Sequence, residues 1–205
     1  MSKSIESTLD SYQTKISNDF YKSWVHYARE SKPKAVSFMS SSLESTLHAI
    51  ATRSGSNSIQ EVTSETEVAQ KYNQVMKFLY ADEFIEGEIS KTHLYLENIY
   101  KENEQVMRTV VQRAWLSLFK TNEAQLLKLL NICSGLDYEM LAEHGDAMLV
   151  GACSNQCDYV KEAAIRCAEA WEQKDHIDYL KNIEKFQAGW LEDYKTEVIE
   201  FLESL

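Results

Sequence analysis

The chain has 205 residues, of which 44% are hydrophobic and 26% charged, and a formal net charge of −11. That composition excludes a disordered chain, and the length is enough to bury roughly 70% of the unfolded surface. With 1 Pro and 6 Gly it has too few of the residues that shape hairpin turns to build a sheet-rich fold, so the expectation is all-α. No apolar run approaches the roughly 20 residues that a bilayer span needs.

Apolar residues at helical spacing predict long helices over 4–31, 34–53, 64–86, 89–102 and 104–120,. Shorter ones follow over 122–134, 137–153, 157–173, 175–186 and 188–204. Pro33 stands at a helix start after Lys32, and Gly55, Gly87, Gly135 and Gly189 fall in or beside connections,. Gly145 and Gly151 lie inside 137–153, which suggests two short pieces there. The tract RSGSNSIQEVTSET at 53–66 is rich in Ser, Thr and Asn and is the best candidate for a mobile connection,. It divides an N-terminal helical region, 1–62, from a second region, 63–205, expected to pack as one unit.

The stretch DYVKEAAIRCAEAWEQKDHIDYLKNI at 158–183 matches its own downstream sequence at an offset of 31. Val160 then falls on Leu191, Ala163 on Tyr194, Cys167 on Val198, Ala170 on Phe201 and Trp171 on Leu202. An apolar stripe that survives such an offset, with a second helix between the copies, describes a helical hairpin repeated by stacking. A weaker upstream copy at an offset of 53 sets Val110, Val111, Ala114, Leu118, Leu127 and Leu130 on Ala163, Ala164, Cys167, Trp171, Leu180 and Ile183.

The run D-Y-V-K-E-A-A at 158–164 resembles the start of the second helix of bacterial HEAT-like repeats, and W-L-E-D-Y at 190–194 followed by V-I-E-F-L is similar to their terminal helices. The resemblance covers about the last 100 residues of the chain. It implies an irregular helical region followed by a HEAT-like α-hairpin stack, an α-solenoid that serves as a binding scaffold. In that pattern Asp158 caps a helix, Val160 enters the core between repeats, and Ala163 and Ala164 let helices approach closely. The sequence departs from it in having Lys161 where Arg is usual, in lacking prolines between helices, and in showing no signature before residue 104.

Residues that could carry chemistry are scattered. CSNQC at 153–157 has no second knuckle or spaced histidines, so Cys133, Cys153, Cys157 and Cys167 read as structural thiols,. None of His26, His48, His93, His144 and His176 lies four residues from another, and EFIEGEISKTH at 83–93 has the wrong spacing for a di-iron motif,. Phosphate loops and G-x-S-x-G elbows are missing,. The aromatics of FYKSWVHYARE at 20–30 fall on one helical stripe and read as core, not as a base-stacking surface,. The expectation is therefore no catalytic residue, no cofactor and no metal.

Charge is more informative. Residues 1–136 carry 15 Lys and Arg against 16 Asp and Glu, whereas residues 137–205 carry 6 against 16. Such a surface repels phosphate backbones and selects a basic partner. On the last predicted helix Asp193, Glu197 and Glu200 recur at i, i+4 and i+7, opposite Leu191, Tyr194, Val198 and Leu202. Glu162, Glu169 and Glu172 form a similar row on the preceding repeat helix, and side-by-side packing would merge the rows,. These six carboxylates are the candidate partner-binding residues. With thiols set in helices and an N-terminus, MSKSIESTLD, that lacks the apolar core of a secretory signal, the reading is a cytoplasmic, non-enzymatic protein-binding scaffold,. Its most specific form is an immunity or antitoxin-type protein that neutralises a basic toxin. The alternatives are an adaptor or assembly factor with no toxin partner, or a helical enzyme with a pocket between its halves.

Overall fold

The computed structural model describes residues 56–82 and 89–205, with side chains from Glu65 onward. The helices expected over 4–31 and 34–53, and the aromatic segment at 20–30, lie outside the described residues. These contain nine helices and no strand: α1 (Ser56–Ala81), α2 (Lys91–Glu102), α3 (Glu104–Phe119), α4 (Glu123–Ser134), α5 (Tyr138–Leu141), α6 (Glu143–Cys153), α7 (Asp158–Trp171), α8 (Asp175–Asn182) and α9 (Gly189–Ser204). No helix among them is long and apolar enough to cross a membrane.

Local chemistry accounts for most boundaries. Ser90, Asn103 and Asn122 each accept, through the side chain, the N–H of the residue three positions on, at 3.1, 3.2 and 3.1 Å, and so start α2, α3 and α4,. Asp158 does not cap α7 as expected. The N-cap is Cys157, and Asp158 sits in the first turn, 2.7 Å from Lys161 Nζ.

Two expectations about breaks are corrected. Residues 56–66 of the Ser/Thr-rich tract form the first turns of α1 and are not a loop. Past Gly55 the tract holds neither Gly nor Pro, so its residues cost only tenths of a kcal/mol each in a helix propagated from the packed part. The chain divides between Arg53 and Ser54, and the boundary expected at 62/63 falls inside α1. The 137–153 segment does break, at Ala142, with φ 48° and ψ −135°, and not at either glycine. Arg108 of α3 stabilises that corner by donating to the carbonyls of Glu139 at 2.7 Å and Met140 at 3.1 Å, which end α5,. The two glycines serve close approach instead. A Cβ at Gly145 would stand 3.2 Å from the Trp171 ring, and one at Gly151 would stand 2.7 Å from the Trp115 ring.

Contacts arrange the helices in two rows. α1 meets α3, α3 meets α6 and α6 meets α8; in the other row α2 meets α4, α4 meets α7 and α7 meets α9. Across the rows α1 pairs with α2, α3 with α4, α6 with α7 and α8 with α9. The offset of 31 therefore relates neighbours in one row, α7 and α9, whereas the offset of 53 crosses from α3 in one row to α7 in the other. Leu96, Met107, Val110, Ala114, Leu126, Leu129, Val160, Ala164, Leu191 and Leu202, each 0% exposed, form the core between the rows.

Polar groups lock the first hairpin to its neighbour. Lys128 of α4 is 5% exposed and donates to the carbonyls of Leu79 at 2.8 Å and Asp82 at 2.6 Å, where α1 ends. Asp82 in turn accepts from the N–H and hydroxyl of Thr92, both at 2.8 Å, in the first turn of α2. A buried ammonium on a helix C-terminus and a carboxylate on a helix N-terminus both follow the helix dipole.

Candidate functional site

The acidic face predicted for the C-terminal helix is present on α9. Leu191, Val198 and Leu202 are buried, and Asp193, Glu197 and Glu200 are exposed on the opposite side. The rotation of α9 is fixed by more than the apolar stripe. Lys195 is 5% exposed, lies 3.1 Å from Glu192 and 4.9 Å from the centre of the Phe186 ring, and donates to Ile183 O at 3.4 Å. Burial opposes ionisation of Glu192, but the Phe186 N–H and Lys195 together hold its carboxyl below the ordinary range.

The companion row on α7 is only partly a surface. Glu162 is 3% exposed and holds Arg166 Nη2 at 2.9 Å. Glu169 accepts the hydroxyl of Tyr194 at 2.5 Å. Glu169 thereby joins α7 to α9, whereas Glu162 is buried with its partner on its own helix. Burial raises the Glu162 carboxyl against the opposing pull of Arg166, and it raises the Tyr194 hydroxyl further still, with Glu169 adding to it. Of the six predicted carboxylates, Glu172 at the end of α7 and Asp193, Glu197 and Glu200 on α9 remain exposed. Glu162 is buried and Glu169 half-buried.

The offset of 31 set Ala170 and Phe201 on the apolar stripe, but both are exposed, and sequence reasoning also passed over Trp190. Trp190 is 50% exposed and Phe201 is 37% exposed. The signal was available: Trp190 precedes Leu191 of the buried stripe by one position, so helical periodicity sends it outward.

A second polar cluster lies where α5, α6 and α8 meet. His176 is 0% exposed, and its Nε2 is 3.0 Å from Asp146 Oδ1. Tyr138 donates its hydroxyl to the same carboxylate, 3.1 and 3.2 Å from its two oxygens. The rings of Tyr138, Trp171 and Tyr179 surround the imidazole at 5.6, 5.9 and 5.9 Å. His176 Nδ1 has no hydrogen-bond partner among the described residues, and Nε2 is the nitrogen that meets Asp146. Desolvation first, then the hydrogen bond to Asp146, pushes the Tyr138 hydroxyl up to about 12. The geometry orients rings and ties α5 to α8; His176 and Leu180, one turn apart on α8, are both buried.

Cys133, Cys153 and Cys167 are buried, and desolvation pushes the first two thiols up to about 12 and the third well above its ordinary value. Such thiols behave as small apolar groups. Among the described residues no three His, Cys, Asp or Glu side chains converge as a metal site requires. Comparison of the chain with protein-family models, with curated proteins and with solved structures finds no match.

Proposed function

We propose that the chain is a non-enzymatic protein-binding scaffold that acts in the cytoplasm and engages a basic protein through its acidic C-terminal surface. In its most specific form it is an immunity or antitoxin-type protein that neutralises a basic toxin. The observation that carries this reading is the outer face of α9, where Asp193, Glu197 and Glu200 are exposed in a segment whose formal charge is strongly negative. The body behind that face is proposed to be a HEAT-like stack of four hairpins, α1/α2, α3/α4, α6/α7 and α8/α9. The order of contacts within each row supports it, since each hairpin would bury its apolar face against the next,.

Complementary charge of this kind sets association rate and selectivity more than raw affinity. The test is affinity capture from the cells that make the protein, in parallel with the D193K/E197K/E200K variant. A protein rich in Lys and Arg, retained by the natural chain and lost by the variant, supports the reading. Co-expression then separates the two binding forms: relief of growth arrest caused by the captured protein identifies a toxin, and absence of any such toxicity identifies an adaptor. Equal capture by both chains would overturn the acidic-surface reading.

A further inference from the structure

We infer that α9 is a docking helix whose outer face, anchored by Trp190 and Phe201, enters an apolar groove rimmed by lysine and arginine on the partner protein. This rests on the protein-binding reading above and names the element and the chemistry it meets. At 3.6 residues per turn, Trp190, Glu197 and Phe201 fall within about 40° of one another around α9, and the stripe runs about 16 Å along the axis. Asp193 and Glu200 flank it on one side. Trp190 is 50% exposed and Phe201 37% exposed, and the helix cannot turn to cover them. Leu191 and Leu202, about 100° around the helix from the two aromatics, are 0% exposed,, and Tyr194 is held by Glu169 at 2.5 Å. Aromatic anchors at the first and last turns of an exposed helix face, with acids between, fit the spacing by which a helix lies in a groove.

Charge decides the occupant. Four of the bases in 137–205 are already engaged: Lys161 with Asp158, Arg166 with Glu162, Lys181 with Glu203 and Lys195 with Glu192. Asp193, Glu197 and Glu200 are exposed and form no ion pair among the described residues, which leaves three carboxylates that a partner's cations can meet. A second copy would set the same carboxylates against themselves, and a nucleic acid would set phosphates there. A single helix face offers well under the roughly 800 Å² per side of a standard interface, so the partner must enclose α9 in a groove and not meet it as a flat surface.

The experiment is site-specific photocrosslinking in the cells that make the protein, with p-benzoylphenylalanine in place of Trp190 or, as a control, in place of Leu116, which is 58% exposed on α3. A crosslink from position 190 to one Lys/Arg-rich protein is expected, with its yield reduced at least tenfold by Phe201→Ala and by Glu197→Lys while the circular dichroism spectrum is unchanged. A crosslink from 190 that survives both substitutions overturns the groove. A partner caught only from position 116 overturns the assignment to α9 and leaves protein binding in place. No partner from either position overturns both.

Discussion

The indole of Trp171 lies against Gly145, where a Cβ would stand 3.2 Å from two ring atoms and 3.3 Å from Leu141 Cβ. Alanine at this helical position gains about 0.5–1 kcal/mol of helix preference but forces a buried ring and a short helix apart, at about 1–3 kcal/mol. Gly145→Ala is therefore expected to lose about 1 kcal/mol net in urea unfolding. Gly189→Ala, with nothing within 4 Å of the added Cβ, is expected to be neutral or stabilising. A reversed order would show that the Trp171 ring yields freely.

Trp171 is 4% exposed and its Nε1–H donates to the carbonyls of Cys133 and Leu136, both at 3.2 Å. Trp171→Ala is expected to cost about 3–5 kcal/mol, from lost burial and the cavity left behind. Trp171→Phe should cost less, because it keeps an aromatic ring while leaving two carbonyls at the end of α4 without this donor. Denaturant unfolding of the pair measures both, and a loss below about 1 kcal/mol for the alanine variant would mean that the stripe is not the core of α7.

Helices were legible because their signals are local: the periodicity of residues 104–204 predicts six segments, five of which match a single helix within a few residues, the exception being 137–153. That break was legible only as a suspicion about Gly145 and Gly151, since the signal at Ala142 lies in a backbone angle held by Arg108 from another helix. The acidic row on α9 was read correctly from i, i+4, i+7 spacing. The row on α7 was not, because a polar stripe reads the same whether it faces water or the polar side of a neighbour, and only packing shows that Glu162 is buried and that Glu169 meets Tyr194 of α9. The His176–Asp146 contact joins residues 30 apart with no motif between them.

The Tyr138 hydroxyl predicts an alkaline limit. Its folded-state value is up to about 12, above the ordinary 10.0, so the folded protein holds this proton more tightly than the unfolded chain does. The stabilisation is complete below pH 10 and is lost as pH rises from there through about 12. With 13Cζ-labelled tyrosine, the Tyr138 resonance is expected to titrate well above the exposed tyrosines. Asp146→Asn removes the carboxylate charge that adds to burial and should lower that midpoint. An unmoved midpoint would show that Asp146 contributes nothing to it.

Glu162 predicts the opposite limb. Burial raises its carboxyl above 4.5 in the folded state, so ionised Glu162 is disfavoured by folding and its contribution improves as pH falls from neutral through the raised value. Glu162→Gln keeps an acceptor for Arg166 and removes the titration. The stability of the natural chain minus that of the variant, from urea unfolding between pH 7 and pH 4.5, is expected to rise as the pH is lowered. A flat difference would show that water reaches Glu162.

Asp193, Glu197 and Glu200 predict a separation of folding from association. Like charges at i, i+4 repel by a few tenths of a kcal/mol, and these three side chains are exposed, so no packing is lost when they are replaced. Changing each from −1 to +1 moves the formal net charge from −11 to −5, which relieves self-repulsion. The D193K/E197K/E200K variant is thus expected to unfold within about 0.5 kcal/mol of the natural chain, or to be slightly more stable. Association with the proposed basic partner should respond differently, because steering depends on the field that the exposed carboxylates project before contact. Stopped-flow association at low salt is expected to be at least about tenfold slower for the variant. Adding salt should slow the natural chain and change the variant little, since screening shortens the reach of a field the variant no longer has. If the variant instead associates at the natural rate across the salt series, the partner docks away from α9, whose exposed acids would then serve solubility alone.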